Sequence, residues 1–227
     1  MKEDFCTDVK EASKDFCIQW ALEKSQLLNC WIQFGFPRKE GSFLYNSICL
    51  ISPPTKTNPS SHIHAVYDKT HLYETDETWA TEGSGFKAVQ MNIDSSITAG
   101  FAICMDFNPK QFKAPFDAYE MASFYRDNNA SLLICSMAWL MPTELFINPD
   151  KSVEYNMINY WALRLSPLID ASKSNGRIVN VIICNRTGKE GETVFGGTSC
   201  ILQIKEGRIH LLGSLPCNQD GILSIDL

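Results

Sequence analysis

No stretch of this chain is apolar for long enough to cross a bilayer as a helix, which takes about 20 residues. Membrane insertion is therefore not expected. Basic clusters are lacking too. Twenty Lys and Arg stand against 26 Asp and Glu, for a formal charge of −6, and the cations do not interleave with aromatics as a nucleic-acid groove requires. Nucleic acid is excluded as a partner. The nine cysteines are odd in number and widely spaced, with no Cys-x-x-Cys pair. Neither a closed disulfide framework nor a structural zinc site is expected, and a reducing compartment fits. Residues 1–15 are polar and acidic, without the apolar core of a secretory signal or the Arg-rich character of a transit peptide, so the cytoplasm is the expected location. Internal repeats and low-complexity tracts are absent as well.

What is present suits one globular domain over residues 1–227: 44% of the residues are apolar and 20% charged, enough to build a sizeable core. Apolar periodicity predicts a helix over 16–29, and alternation predicts a strand over 31–36, stopped by Pro37. A polar turn is expected at 38–42, then strands over 43–51 and 62–67 separated by a loop. Residues 141–160 read as an irregular insertion broken by Pro142 and Pro149, followed by a helical register over 160–169 that Pro167 interrupts. Strands are expected over 178–184, 193–204, 208–212 and 222–227, with a charged loop at 185–191 and a turn at Glu206-Gly207. Short strands with few helices point to a layered α/β fold.

The chain is organised around 97–109, an apolar strand running into a tight turn with Cys104 at its end. Strand ends of open α/β sheets place side chains in a cleft, which suits a nucleophile. A helix is expected from Pro115 to Asn129, then a buried strand over 132–135. Free cysteines are more often core than catalytic. Cys49, Cys135 and Cys184 each sit in an apolar run and are expected in the core. Upstream, His62 and His64 share one strand face, a pair that reads as an exposed face rather than a metal site because a third ligand is lacking. Lys69 opens a long segment rich in charge, Thr and Gly, with Glu74, Asp76, Glu77 and Glu82 following. A solvated charge cluster is the simplest reading of it.

Four motifs occur in order: Tyr-Asp-Lys-Thr-His-Leu-Tyr at 67–73, Gly-Phe-Ala-Ile-Cys-Met-Asp at 100–106, Met-Ala-Trp at 137–139, and Asn-Arg-Thr-Gly-Lys-Glu at 185–190 followed by Phe-Gly-Gly-Thr-Ser. Together they resemble the nitrilase (carbon–nitrogen hydrolase) superfamily. Three further stretches bring the chain nearest to the fungal protein N-terminal amidases: Tyr-x-Thr-Asp-x-x-Trp at 73–79, Ala-Pro-Phe at 114–116 and Asn-Tyr-Trp-x-Leu-Arg at 159–164.

The resemblance implies a four-layer αββα sandwich of the nitrilase type, here lacking its first strands and helix. It also implies a Glu, Lys, Cys catalytic set. Carried over by position, the nucleophile is Cys104 and the lysine is Lys69, with Glu77 the acidic residue eight positions on. The general-base glutamate of the family lies upstream of the first helix of this chain and has no counterpart among Glu3, Asp4, Asp8 and Glu11. A truncated or naturally short form is therefore expected. The backbone N–H of Met105 and the Lys69 ammonium would serve the oxyanion, Trp139 a pocket wall, and Glu154 the substrate's α-amino group. The last two read equally well as a packing residue and an exposed carboxylate. No metal or organic cofactor is implied.

The implied substrates are polypeptides with N-terminal Asn or Gln, deamidated as a step of the N-degron pathway. A small amide, nitrile or N-carbamoyl compound is an alternative, as is a dead homologue acting as a binding partner. Oligomeric state is left open.

Overall fold

The computed structural model describes residues 5–92, 96–141 and 151–226. Two compact units divide the chain, Met1–Lys87 and Ala88–Leu227.

The first unit is a four-stranded sheet with a helix. Asp15 caps helix α1 (Phe16–Leu28) by accepting the Ile18 N–H at 2.8 Å, and Asn29 ends it in the left-handed conformation. Ile18, Ala21 and Ser25 recur at helical spacing on its buried face. Ile18 and Ala21 pack with Phe36, Cys49 and Ile51 of the sheet. Strands β2 (Ile32–Glu40), β3 (Phe43–Ser52) and β4 (His62–Asp68) form an antiparallel meander, and the short β1 (Thr7–Asp8) pairs parallel with β2.

The expected break at Pro37 and turn at 38–42 do not occur. Pro37 lies within β2 opposite Asn46, and the chain reverses only at Gly41, which adopts φ 59°. Proline is tolerated because β2 has little on its other side: β1 reaches only Arg38 and Lys39, so no ladder bond is lost. Arg38, far from being a solvated turn residue, is buried. Its fork meets both oxygens of Asp68 at 2.8 and 2.7 Å and Glu40 at 3.0 Å, and its guanidinium lies 4.4 Å over the Tyr45 ring.

The second unit is a six-stranded sheet in the order β12-β11-β8-β7-β6-β5. Strands β6 (Ser96–Ile103), β7 (Leu132–Met137) and β8 (Val179–Asn185) are parallel; β5 (Ala88–Asn92) and β11 (Cys200–Lys205) flank them antiparallel, and β12 (Arg208–Ser214) pairs antiparallel with β11 at the edge. Parallel neighbours need crossover helices and are covered on both faces, which explains the continuous apolar run of β6. The β7 crossover is made by α3 (Glu120–Asp127), the β8 crossover by α4 (Lys151–Arg164) and α5 (Ser166–Asn175). Gly100 lets α3 approach β6: a β-carbon there would sit 2.4 Å from the Tyr125 ring. The Tyr125 hydroxyl accepts the Phe101 N–H at 2.9 Å and donates to the Phe101 carbonyl.

Several expectations are corrected in this unit. The helix expected from Pro115 starts only at Glu120, because Gln111, Phe112 and Tyr119 adopt positive φ and leave short 3-10 turns before it. Of the stretch read as irregular, 142–150 lies outside the described residues, whereas 151–160 belongs to α4. The helical register over 160–169 is interrupted at Pro167 as expected: α4 ends at Arg164 and α5 starts at Ser166, with Pro167 in its first turn, where a missing N–H costs nothing. The charged loop at 185–191 is largely strand β9 (Thr187–Glu190), paired with β10 (Thr193–Gly196). Residues 222–226 form no strand. Cys184 is exposed, because β8 alternates and buries Val181, Ile183 and Asn185 on the other face. Cys49 and Cys135 are core, as expected. Glu206 and Gly207, at φ 54° and 72°, make the expected tight turn between β11 and β12.

Candidate active site

Cys104 stands at the point where β6 ends and a 3-10 turn, Cys104–Phe107, begins. It is half-buried and adopts φ 45°. A side chain bearing a β-carbon resists that left-handed conformation, and such residues cluster at functional sites, where the surroundings over-determine them. The turn is closed by Asp106, 1% exposed, whose carboxylate accepts the Ile103 N–H at 2.7 Å. Asn108 comes next, donating its N–H to the Met105 carbonyl at 2.9 Å.

The remaining cysteines differ from Cys104 in kind. Burial pushes the thiols of Cys49 and Cys200 up to about 12, that of Cys49 with help from the Asp15 carboxylate. Cys135 is raised well above the usual thiol range, by burial first. Such thiols remain protonated and inert. Cys184 and Cys17 are exposed, but neither has a left-handed backbone.

Lys69, in the other unit, is 3% exposed, so the solvated-cluster reading fails. Lysine is rarely buried without a partner. Here the partner is Asp76, 6% exposed, whose Oδ2 lies 2.5 Å from Lys69 Nζ. Asp76 is held in turn by the Asn46 amide at 3.1 Å and the Tyr73 N–H at 3.0 Å. It sits in a single helical turn, α2 (Glu74–Glu77), and Glu77 beside it is exposed. The Lys69 backbone is clamped on both sides: its N–H donates to Asn46 and its carbonyl accepts from Gly83, each at 2.8 Å. Adjacent His71 is buried against Phe86, with ring centroids 5.3 Å apart.

No model of a known protein family matches the chain. The protein N-terminal amidase of Schizosaccharomyces pombe is 38% identical over 221 residues, an alignment covering 91% of this chain and 73% of that protein. The chain belongs to the protein N-terminal amidase family. The Saccharomyces cerevisiae amidase is 30% identical over 172 residues, 68% of this chain and 36% of that protein. Among solved structures, an N-terminal amidase with an Asn-Glu-Ala peptide superposes with a TM-score of 0.74 at 20% identity, covering 95% of this chain and 81% of that one. The amidase from Nesterenkonia sp. AN1, in a variant with acrylamide added at its active-site cysteine, has a TM-score of 0.58 at 16% identity, over 91% of this chain and 67% of that one. Both likenesses show the fold: a mixed α/β architecture shared with N-terminal amidases and other carbon–nitrogen hydrolases.

Of the residues singled out in the sequence, Lys69 and Glu77 fall in the first unit and Cys104, Met105, Trp139 and Glu154 in the second. Met105 has a buried side chain, 2% exposed. Trp139 is half-buried. Its backbone N–H donates to Asn185 Oδ1 at 2.8 Å, and its ring lies 5.5 Å from that of Tyr160 and 5.9 Å from that of Trp161. Glu154 is neither exposed nor free: its Oε1 accepts the Cys217 N–H at 2.9 Å. The Cys217 thiol is raised by burial and then by this carboxylate.

Several residues about the site escape a reading of single motifs. Asp76 is indistinguishable by composition from the three acids around it. Asn185 ties three segments together, accepting from Trp139 and donating Nδ2 to the Gly197 carbonyl at 2.6 Å. Tyr160 donates its hydroxyl to Asn108 Oδ1 at 2.6 Å. For Tyr160 the one available signal was its place in the Asn-Tyr-Trp-x-Leu-Arg stretch. His62 and His64 face one another across 6.3 Å, and Trp31 packs on His64 at 5.0 Å. Among the described residues no group of three ligating side chains surrounds a metal position, and no helix is long and apolar enough to cross a membrane.

Proposed function

We propose that this chain removes the side-chain amide of an N-terminal Asn or Gln from polypeptides in the cytoplasm, giving Asp or Glu and ammonia. The observation that carries the reading is the half-buried Cys104 in a left-handed turn at the end of β6, in a chain of the N-terminal amidase family. Solved N-terminal amidases hold Asn-Glu, Gln-Val and Gln-Gly peptides, which supports substrates with either residue at the N-terminus.

The chemistry is dictated by the residue types. The Cys104 thiolate attacks the amide carbon, and the developing oxyanion takes donors from the Lys69 ammonium and the Met105 N–H. The carboxylate that took the proton of the Cys104 thiol delivers it to the nitrogen, the C–N bond breaks, and ammonia leaves a thioester behind. Water then attacks the thioester, a carboxylate accepts its proton, and Cys104 is released with the free acid. Asp76 is committed to Lys69, so Glu77 is our assignment for the proton acceptor. Trp139 is our assignment for a wall against the substrate side chain, and Glu154 for the acceptor of the α-ammonium. The reaction calls on no cofactor and no metal.

The test is ammonia release from Asn- and Gln-initiated peptides, with the same peptides N-acetylated as controls. Turnover is expected from the free amines alone; equal rates on the acetylated peptides would redirect the reading to simple amides. Cys104→Ala is expected to lower turnover by about 1,000-fold or more, and Glu77→Gln by about 100-fold or more. An undiminished rate in either variant removes that residue from its role.

A further inference from the structure

Behind the cysteine turn sits a buried charge that this chemistry does not use. Arg164, at the end of α4, is 3% exposed. Its Nε donates to the Phe107 carbonyl at 2.6 Å, one terminal nitrogen donates to the Phe116 carbonyl, and the other lies 3.5 Å from Glu120 Oε2. The guanidinium carbon lies 4.8 Å from the centroid of the Phe116 ring and 5.0 Å from that of Tyr119, within cation–π reach of both. Every one of these partners belongs to residues 107–120, the segment just downstream of Cys104.

That segment has little regular structure of its own. It runs through two three-residue 3-10 turns and contains three left-handed residues, Gln111, Phe112 and Tyr119. One turn earlier on α4, Tyr160 reaches the same segment through Asn108, which is itself 5% exposed. Residues 160 and 164 lie on one helix face by their i, i+4 spacing, so a single face grips the chain just past the cysteine. Burial pushes the Tyr160 phenol up, which keeps it a neutral donor near pH 7. A guanidinium suits this task as an ammonium does not, since only a planar fork can bond two carbonyls in fixed directions while lying against aromatic rings.

We propose that Arg164, seconded by Tyr160, is a positioning residue for the nucleophile. By fixing residues 107–120 it holds Cys104 in its left-handed conformation, and so sets the reactivity of the thiol without touching substrate. The proposal rests on Cys104 being the nucleophile, and its test includes a reading that needs no substrate.

Three variants are compared with the parent: Arg164→Lys, Arg164→Ala and Tyr160→Phe. For each, the rate of iodoacetamide attack on Cys104 is measured by mass spectrometry of the individual cysteines across pH 6–9, together with kcat and KM for an Asn-initiated peptide. Arg164→Lys is expected to slow both Cys104 alkylation and kcat by about 100-fold, the cost of misplacing a reacting atom, while KM and the labelling of exposed Cys184 stay within about twofold. Methylguanidinium restores part of both rates in Arg164→Ala and nothing in the parent. Tyr160→Phe deletes one hydroxyl, should fold, and slows Cys104 alkylation several-fold. It carries the test where the arginine variants do not fold. Unchanged Cys104 alkylation in folded Tyr160→Phe and Arg164→Lys overturns the proposal, as does a loss confined to KM. Where the parent alkylates selectively at Cys104 yet releases no ammonia, the substrate reading fails and the alkylation rates still decide the role of Arg164.

Discussion

Lys69 and Cys104 are held in place by opposite means. Lys69 is fixed by charge: its partners Asp76, Asn46 and Gly83 all belong to its own unit, and its backbone bonds would survive loss of the ammonium. Cys104 is fixed by backbone conformation. Asp106 supports its turn directly, and a helix far downstream in sequence supports the irregular segment 107–120 beyond that turn. A group held by an ion pair is vulnerable to neutralisation of its partner. A group held by strain is vulnerable to loosening of the packing around it.

The sharpest way to break the comparison is to remove the charge partner. Asp76→Ala leaves the Lys69 ammonium buried and unpaired and is expected to cost about 3–5 kcal/mol of stability, read from urea unfolding of the full chain. A loss under about 1 kcal/mol, the worth of an exposed pair, would mean that water reaches the pair and that charge is not what holds Lys69. Relaxing the strain is the complementary experiment. Cys104→Gly is expected to abolish turnover while raising stability by about 1 kcal/mol, because glycine adopts positive φ freely. A destabilised Cys104→Gly protein would show that the side chain's contacts outweigh the backbone cost. An effect silent at neutral pH concerns the inert thiols. Cys49 and Cys200 are protonated in the folded protein up to about pH 12, whereas in the unfolded chain they ionise near 9. The folded state therefore holds more protons than the unfolded one between those values, and stability falls as pH rises through that window. Replacing both thiols by Ala, or by Val where space allows, should flatten this part of a stability-against-pH curve; an unaltered slope assigns the alkaline loss to other groups.

How much of this was legible in the sequence depended on whether the decisive partner was local. The strand leading to Cys104 was readable because a parallel strand covered on both faces writes itself as an unbroken apolar run. The extension of β2 through Pro37 and Arg38 was not, since proline and charge both mark turns locally, whereas Asp68 supplies Arg38 with a partner from a different strand. Asp76 and Glu77 illustrate a finer limit. They are adjacent acids in one helical turn, pointing in directions about 100° apart, and nothing short of the fold says which one turns toward Lys69. Glu154 was recognisable as an acid near the aromatic motif, but its contact with Cys217 joins residues from distant parts of the chain. Cys184 was misplaced because an apolar strand does not declare which of its alternating faces is covered.

Gly83 carries a consequence for how this sequence can vary. A β-carbon at that position would fall 2.2 Å from the Asp68 carbonyl oxygen, and what it meets is main chain, which cannot swing aside as a side-chain tip can. The same residue donates the N–H that fastens Lys69. A library of all amino acids at position 83, selected for function, should therefore return glycine alone, while its exposed neighbour Ser84 drifts freely. The lysine's location is thus inherited through a residue that has no side chain at all.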